Sequence, residues 1–311
     1  MSSATAERWA KARSFHHSLF PPERVAAGRD LSVSVCLPAR ECAQTVGPIV
    51  RTLLGLREQG VIDEVVVVDA DSADGTAAVA ERAGAVVRQE AELMPSFGPV
   101  LGKGDAMWRA LSALDGDLVC FLDADTENFS AHFAAGLLGP LVCESGVSFV
   151  KAFYRRPLHP RWGPGVHEAD ARAANVRGED GGSVEDGGGR VNHLMARPAL
   201  ALFYPELAGV RQPLAGEVAA RRELLEGLPF VTGYGVEIAM LIDSWRAVGL
   251  DGMVQVDLDE HHNRHQPLSA LSPMAATVLA TVARRLQEEG RLRGVMDGPV
   301  ERPPLAGVTV A

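Results

Sequence analysis

Short uninterrupted apolar runs recur through the first half of the chain. Each is followed by a polar turn and then by a stretch whose apolar positions fall at helical spacing. Residues 31–37 read as a strand that stops at Pro38-Ala39-Arg40-Glu41. The segment 43–57 then carries Val46, Ile49, Val50, Leu53 and Leu54 at the period of a helix. The pattern repeats as a strand at 64–69, a turn cluster at 70–76, a helix at 76–83 and a short strand at 85–88. A Gly/Pro-rich loop at 95–104 leads into a helix at 105–114, a strand at 118–122, a helix at 131–142 and a strand at 147–153. Apolar strands alternating with helices predict a mostly parallel α/β sheet, covered on both faces and joined by right-handed crossovers.

The second half changes character. Residues 158–190 are rich in Gly, Pro and charge, too long for a passive connection, and read as a functional or a mobile loop. Helical patterns follow at 191–201, 221–226 and 236–248, then a strand at 253–257 and a His-rich segment at 260–267. A last helix is expected to start with Ser272 as N-cap and Pro273 in its first turn, and to run to about Arg291. The organisation predicted is an arm over 1–30, an α/β half over 31–158, a loop over 159–190, a second half of the same domain over 191–270, and a C-terminal helix and tail over 271–311. The helical, loop-rich C-terminal portion is expected to cover one side of the site.

Composition narrows the function. A formal net charge of −10 over 311 residues disfavours nucleic acid and anionic membrane surfaces as partners. No window approaches the roughly 18 apolar residues of a membrane span, and residues 1–13 carry charges where a signal peptide would be apolar. Cys36, Cys42, Cys120 and Cys143 form no C-x-x-C pair and read as reduced core residues, so a cytoplasmic location is expected.

The stretch Leu118-Val-Cys-Phe-Leu-Asp-Ala-Asp125 carries the first chemical signal. At the end of an extended strand, residues two apart point to one side, so Asp123 and Asp125 are expected to stand together at the carboxyl edge of the sheet. Two hard oxygen anions there suit Mg²⁺ or Mn²⁺ carrying a diphosphate, although an aspartate pair alone also fits an ordinary turn. The segment Gly98-Pro-Val-Leu-Gly102-Lys103-Gly104 has the wrong glycine spacing for a P-loop and lacks its hydroxyl, yet entering a helix it offers N–H groups and an ammonium to a phosphate. No G-x-G-x-x-G follows the first strand, which argues against a nicotinamide enzyme. Lys151, Arg155, Arg156 and Arg190 suit a small anionic ligand, and one of His261, His262 and His265 is a candidate to complete a metal site.

Together the motifs at Pro38-Ala39, Val68-Asp-Ala-Asp71-Ser-Ala-Asp-Gly-Thr76, Gly102-Lys-Gly-Asp-Ala-Met-Trp-Arg109 and Phe121-Leu-Asp-Ala-Asp125 resemble the GT-A nucleotide-sugar glycosyltransferases. With Val150-Lys-Ala-Phe-Tyr-Arg-Arg-Pro-Leu158, Gly187-Gly-Gly-Arg-Val191, Gln212-Pro-Leu-Ala-Gly-Glu217 and Gly233-Tyr-Gly-Val-Glu-Ile238, the likeness is to glycosyltransferase family 81, the glucosyl- and mannosyl-3-phosphoglycerate synthases. The resemblance covers about residues 31–268. It implies a Rossmann-like GT-A fold, a divalent metal (Mg²⁺ or Mn²⁺), and retaining transfer of glucose or mannose from a GDP- or UDP-sugar to 3-phosphoglycerate, with a homodimer as the assembly. Pro38, Ala39, Glu41, Asp71, Ser72, Lys103, Asp123 and Ala124 match the nucleotide pocket. Asp125 matches a metal ligand, with His262 or His265 as its histidine partner. Gly189, Arg190 and Asn192 match the phosphoglycerate stretch, Leu214, Tyr234 and Glu237 the residues around the sugar, and Arg155 is added as an acceptor contact. Catalytic roles are expected for Glu237, Lys103 and Asp125. Arg40, Cys42 and the long segment at 160–186 depart from the pattern and leave glucose against mannose, and UDP against GDP, open. A sugar-phosphate nucleotidyltransferase would want a Gly-rich loop after the first strand, where Pro38-Ala39-Arg40 stands. A non-catalytic nucleotide-sugar-binding module would have no need of the Asp, Lys and Glu set.

Overall fold

The computed structural model describes residues 2–157, 189–263, 266–293 and 300–307. Its strands are β1 (Ser14–His16), β2 (Val33–Ala39), β3 (Glu64–Asp69), β4 (Val86–Gln89), β5 (Leu118–Phe121), β6 (Phe149–Arg155), β7 (Val218–Arg221), β8 (Phe230–Val231), β9 (Met253–Glu260) and β10 (Glu301–Arg302). The helices are α1 (Ser2–Ala12), α2 (Pro22–Gly28), α3 (Val46–Glu58), α4 (Thr76–Ala83), α5 (Lys103–Ala110), α6 (Ala131–Cys143), α7 (Arg197–Phe203), α8 (Arg222–Glu226), α9 (Val236–Val248) and α10 (Leu268–Glu288). The Gly-rich stretch up to residue 188 and His265 lie outside the described residues. No helix among the described residues is long and apolar enough to cross a membrane.

Eight strands form one sheet in the order β1-β9-β6-β7-β5-β2-β3-β4, and β8 and β10 pair separately. Only β7 runs antiparallel to its neighbours β5 and β6. The unalternated strands are buried on both sides, as their composition requires. Val66 and Val68 pack into one core with α5 and the C-terminal helices, while Val65 and Val67 pack into the other with α2, α3 and α6. In α3 the buried Val46, Ile49, Val50, Leu53 and Leu56 keep helical spacing, so a single stripe seats the helix on the sheet. β3 lies on one side of β2 and β5 on the other. The chain direction therefore switches at β2/β5, and open α/β sheets open a crevice at the strand ends there.

Three elements differ from the sequence pattern. β1 joins the sheet edge in parallel register with β9 (Ser14↔Gln255, His16↔Asp257), so the N-terminal arm is built into the sheet. Its Trp9 is buried, with Nε1 donating to the Leu250 carbonyl at 2.9 Å. β7 is only four residues long and abuts α8, which hides its period-two signal within a helical pattern. The last helix begins at Leu268 and contains Pro273 rather than starting there. The packing of Leu271 and Met274 against the core holds this earlier turn despite the missing proline N–H.

The tail returns to the body at Arg302, whose guanidinium meets the fully buried Asp105 carboxylate (Nε–Oδ1 2.7 Å, Nη2–Oδ2 2.8 Å). Burial alone would raise the Asp105 pKa. Hydrogen bonds from Arg302 and Arg109 outweigh it and hold the pKa below the ordinary carboxylate value. Asp105 therefore contributes stability above the ordinary carboxylate range, and loses it as pH falls through the lowered value. Arg302→Leu is expected to destabilise the fold by about 3 kcal/mol at neutral pH, because it leaves a buried charge under-paired. Urea unfolding of both proteins should show that gap shrinking in acid, once Asp105 is protonated.

Candidate active site

The loops beyond the carboxyl ends of β2, β3 and β5 open into a cleft of about 500 Å³. Pro38 and Ala39 at the end of β2 and Ala70 just after β3 line it, with Lys103, Asp123 and Asp125. Gly233 and Tyr234 before α9, Glu237 in its first turn, and Leu271 and Met274 of α10 complete the lining. β5 ends at Phe121, so the two aspartates do not sit on an extended strand. A turn over 124–125 brings both to the cleft.

At the centre, the Lys103 ammonium lies 2.7 Å from Asp123 Oδ1 and 3.2 Å from Glu237 Oε1. Burial would lower the Lys103 pKa, but the two carboxylates outweigh it and hold the amine charged. The geometry depends on two glycines. A Cβ on Gly216 would fall 2.4 Å from Asp123 Oδ1 and 2.6 Å from Lys103 Nζ, inside the ion pair itself. A Cβ on Gly104 would stand 1.9 Å from the Val231 carbonyl, so only glycine lets the first turn of α5 lie against β8. Asp105, one residue on, also accepts from the Leu101 N–H at 2.8 Å and so fixes the loop that delivers Lys103.

Behind the pair, β7 is preceded by Glu217, which is fully buried. Its Oε2 accepts from the Tyr154 hydroxyl at 2.8 Å, and its Oε1 is 2.8 Å from His261 Nε2. Burial pushes the Glu217 pKa up, but His261 and Tyr154 overcome this and leave it at about 2. Burial likewise opposes charge on His261, and Glu217 more than offsets it, raising that pKa. Asp123, Glu217 and His261 offer three ligand atoms within 4.8 Å of one another. His261 Nδ1 is buried without a hydrogen-bond partner among the described residues. Asp125 lines the same cleft; removal from water, then the Asp123 charge, raise its pKa. Two or three carboxylates beside one imidazole fit a Mn²⁺- or Mg²⁺-type ion, whose binding would relieve that repulsion. Lys151 is buried beneath, donating to the Ala215 carbonyl at 2.6 Å. Burial lowers its pKa to about 8.

The histidine turned toward the acidic cluster is thus His261. His262 Nε2 pairs with Glu260 Oε2 at 3.1 Å, and its N–H donates to Asn128. Strict alternation from Val254, Val256 and Leu258, which share one face, would carry His262 inward. Instead Asp259 takes a left-handed φ of 64° and the β6/β9 register shifts after Phe153, so the alternation slips by one residue. Sequence spacing carries no sign of that slip.

Of the other expected residues, Gly189, Arg190, Asn192, Leu214, Tyr234 and Ala124 line the cleft, as does Arg156. Asn192 Oδ1 accepts from the Leu214 N–H at 2.8 Å, which ties the two loops together. Glu41, Asp71 and Ser72 are not among the lining residues. Glu41 and Ser72 join the loops after β2 and β3, with the Glu41 N–H donating to Ser72 Oγ at 2.9 Å and the Ala73 N–H to Glu41 Oε1 at 2.8 Å. Arg155 is 64% exposed and pairs with Glu260 at 3.0 Å, outside the cleft.

Comparison with known proteins agrees with this arrangement. Residues 34–137 match the model of glycosyl transferase family 2. The chain is 41% identical over 281 residues to a glucosyl-3-phosphoglycerate synthase of Mycolicibacterium paratuberculosis, covering 89% of this chain and 80% of that protein. A relative of the same name from Petrotoga mobilis is 38% identical, with 90% and 82% covered. Among solved structures, mannosyl-3-phosphoglycerate synthase from Rubrobacter xylanophilus superposes with a TM-score of 0.84 at 44% identity, covering 96% of this chain and 97% of that one. Glucosyl-3-phosphoglycerate synthase from Mycobacterium tuberculosis, solved with Mn²⁺, UDP-glucose and phosphoglyceric acid, gives a TM-score of 0.75 at 36% identity over 92% and 94% of the two chains. The chain belongs to the GT-A glycosyltransferase family that contains the glucosyl- and mannosyl-3-phosphoglycerate synthases.

Proposed function

We propose that the protein transfers a hexose, glucose or mannose, from a UDP- or GDP-sugar to 3-phosphoglycerate with retention of configuration. The observation that carries this assignment is the convergence of Lys103, Asp123, Asp125 and Glu237 in one cleft that Arg156 and Arg190 also line. The carboxylates suit a cation-borne diphosphate. The guanidiniums suit a small acid bearing phosphate and carboxylate.

Pro38 and Ala39 would flank the base, and Asp123 with Ala124 the ribose side of the nucleotide. Asp125, with His261 and the neighbouring carboxylates, would hold a divalent metal, which when bound supplies positive charge to the departing diphosphate. Lys103 is kept charged by its two partners and adds to that stabilisation from the protein side. Glu237, only 9% exposed, would orient the sugar, with Leu214 and Tyr234 alongside. Gly189, Arg190 and Asn192 would seat the acceptor. In the transfer, the bond from the anomeric carbon to the diphosphate oxygen breaks as the bond to the acceptor hydroxyl oxygen forms on the same face. The hydroxyl proton passes to the leaving diphosphate. Four free cysteines support a cytoplasmic location. The exposed Leu194 and Leu202 are apolar surface suited to a second copy in a homodimer.

Incubation with Mn²⁺ or Mg²⁺ and 3-phosphoglycerate, in parallel with UDP-glucose, GDP-glucose and GDP-mannose, is expected to release nucleotide with at least one donor. Release that never depends on 3-phosphoglycerate overturns the acceptor assignment. Asp125→Ala should abolish metal-dependent turnover while circular dichroism stays unchanged. Gly216→Ala is expected to lower kcat by roughly 100-fold, since a misplacement of about 1 Å in a catalytic group has that effect. Single-turnover kinetics with full donor saturation will separate this loss from weaker binding.

A further inference from the structure

A second group of ligand-type side chains gathers at the outer edge of the sheet, and none of its members lines the cleft. His16 closes β1, His17 follows it, and Asp259 lies near the end of β9. His16 Nε2 is 3.1 Å from Asp259 Oδ1, and His17 Nε2 is 2.7 Å from Asp259 Oδ2. The three ligand atoms all fall within 4.8 Å of one another.

Several features aim these groups at one point. Asp259 holds a φ of 64°, a conformation that is costly for an aspartate, and its N–H donates to Asp257 Oδ1 at 3.0 Å. The strained backbone is what places its carboxylate under both imidazoles. His132 stacks on His17 with ring centroids 4.1 Å apart. Both His132 nitrogens are engaged, by Ser130 Oγ at 2.6 Å and the Leu258 carbonyl at 3.1 Å, so that ring is a wall and not a ligand. His16 Nδ1 accepts from the Ser18 N–H at 3.2 Å and lies 2.8 Å from Ser18 Oγ, so Ser18 holds the ring with Nε2 turned toward Asp259.

The spacing is also right for an ion. Tetrahedral ligands about 2.0–2.1 Å from a metal stand roughly 3.3 Å from one another. The observed separations, 3.1 and 2.7 Å to the two carboxylate oxygens, would have to open by about 0.2 and 0.6 Å, a movement open to side chains that are 45%, 16% and 51% exposed for His16, His17 and Asp259. Two imidazoles and one carboxylate select a borderline transition-metal ion over Mg²⁺. We propose that His16, His17 and Asp259 form a second cation site, for an ion of the Zn²⁺ or Co²⁺ type, which fastens the N-terminal arm to β9.

The alternative is a metal-free set of hydrogen bonds between two histidines and an aspartate. Asp259→Asn distinguishes the two, because an amide oxygen still accepts from an imidazole N–H but is a poor ligand; His17→Ala removes a ligand outright. The metal-free full chain would be titrated with Zn²⁺ by calorimetry and with Co²⁺ by visible absorption, alongside both variants. The wild-type chain should bind one more ion than either variant, or bind it with an affinity higher by about tenfold or more. Zn²⁺ should raise the melting temperature of the wild-type chain more than that of the variants. Circular dichroism of metal-free Asp259→Asn should match that of the wild-type chain, which shows that its fold is intact. Equal stoichiometry and affinity in wild type and Asp259→Asn overturns the site.

Discussion

One ammonium shared by two carboxylates sets the terms for the cleft. Lys103 pairs with Asp123 and Glu237 together, and the remaining acids, Asp125 and Glu217, share the field of that same ammonium and of His261. Four carboxylates thus draw on one ammonium and one imidazole. A diphosphate entering alone would meet carboxylates in a partly desolvated site, where repulsion is poorly screened. A divalent ion reverses that sign, which gives metal dependence a cause in the donor set itself. The same pairing keeps the lysine from losing its proton on burial, while Lys151, with a carbonyl as its hydrogen-bond partner, is held near 8.

Holding that pair requires support from distant parts of the chain. Gly216 yields the space, Glu217 next to it anchors Tyr154 and His261, and the β7 strand that follows carries both to the sheet centre. On the other side Asp105 ties the Lys103 loop to Arg302 of the tail, and Trp108 Nε1 donates to the Pro303 carbonyl at 2.8 Å. Residues almost two hundred positions apart thus share the task of fixing one ammonium.

Much of this was legible in the residues. Val65–Val68 and Leu118–Phe121 are buried on both faces, and their unbroken apolar character announced the central sheet. Asp123, Asp125 and Lys103 were visible as a set because strand ends and a Gly-Lys-Gly turn leave a strong local mark. The strand β7 was not, since four residues against a helix carry no periodicity of their own. The residues offered His261 beside His262 and His265 without choosing it, because a one-residue slip at Asp259 is a matter of backbone torsion and not of composition. Arg155 illustrates a further limit. Its sequence neighbour Arg156, just past the end of β6, lines the cleft, while Arg155 closes the strand and pairs with Glu260 outside it.

The antiparallel β7 also bears on how the chain acquires its shape. It lies between β5 and β6, yet it is made some sixty residues after β6. Until it arrives, both of those strands present open edges to their surroundings, and open edges invite pairing with other chains. During synthesis the first half must wait for Val218–Arg221 before its sheet can close, and for β9 before β1 finds its place. Such a protein assembles late and all at once, and a nascent chain stalled before residue 218 would be a natural client for chaperones.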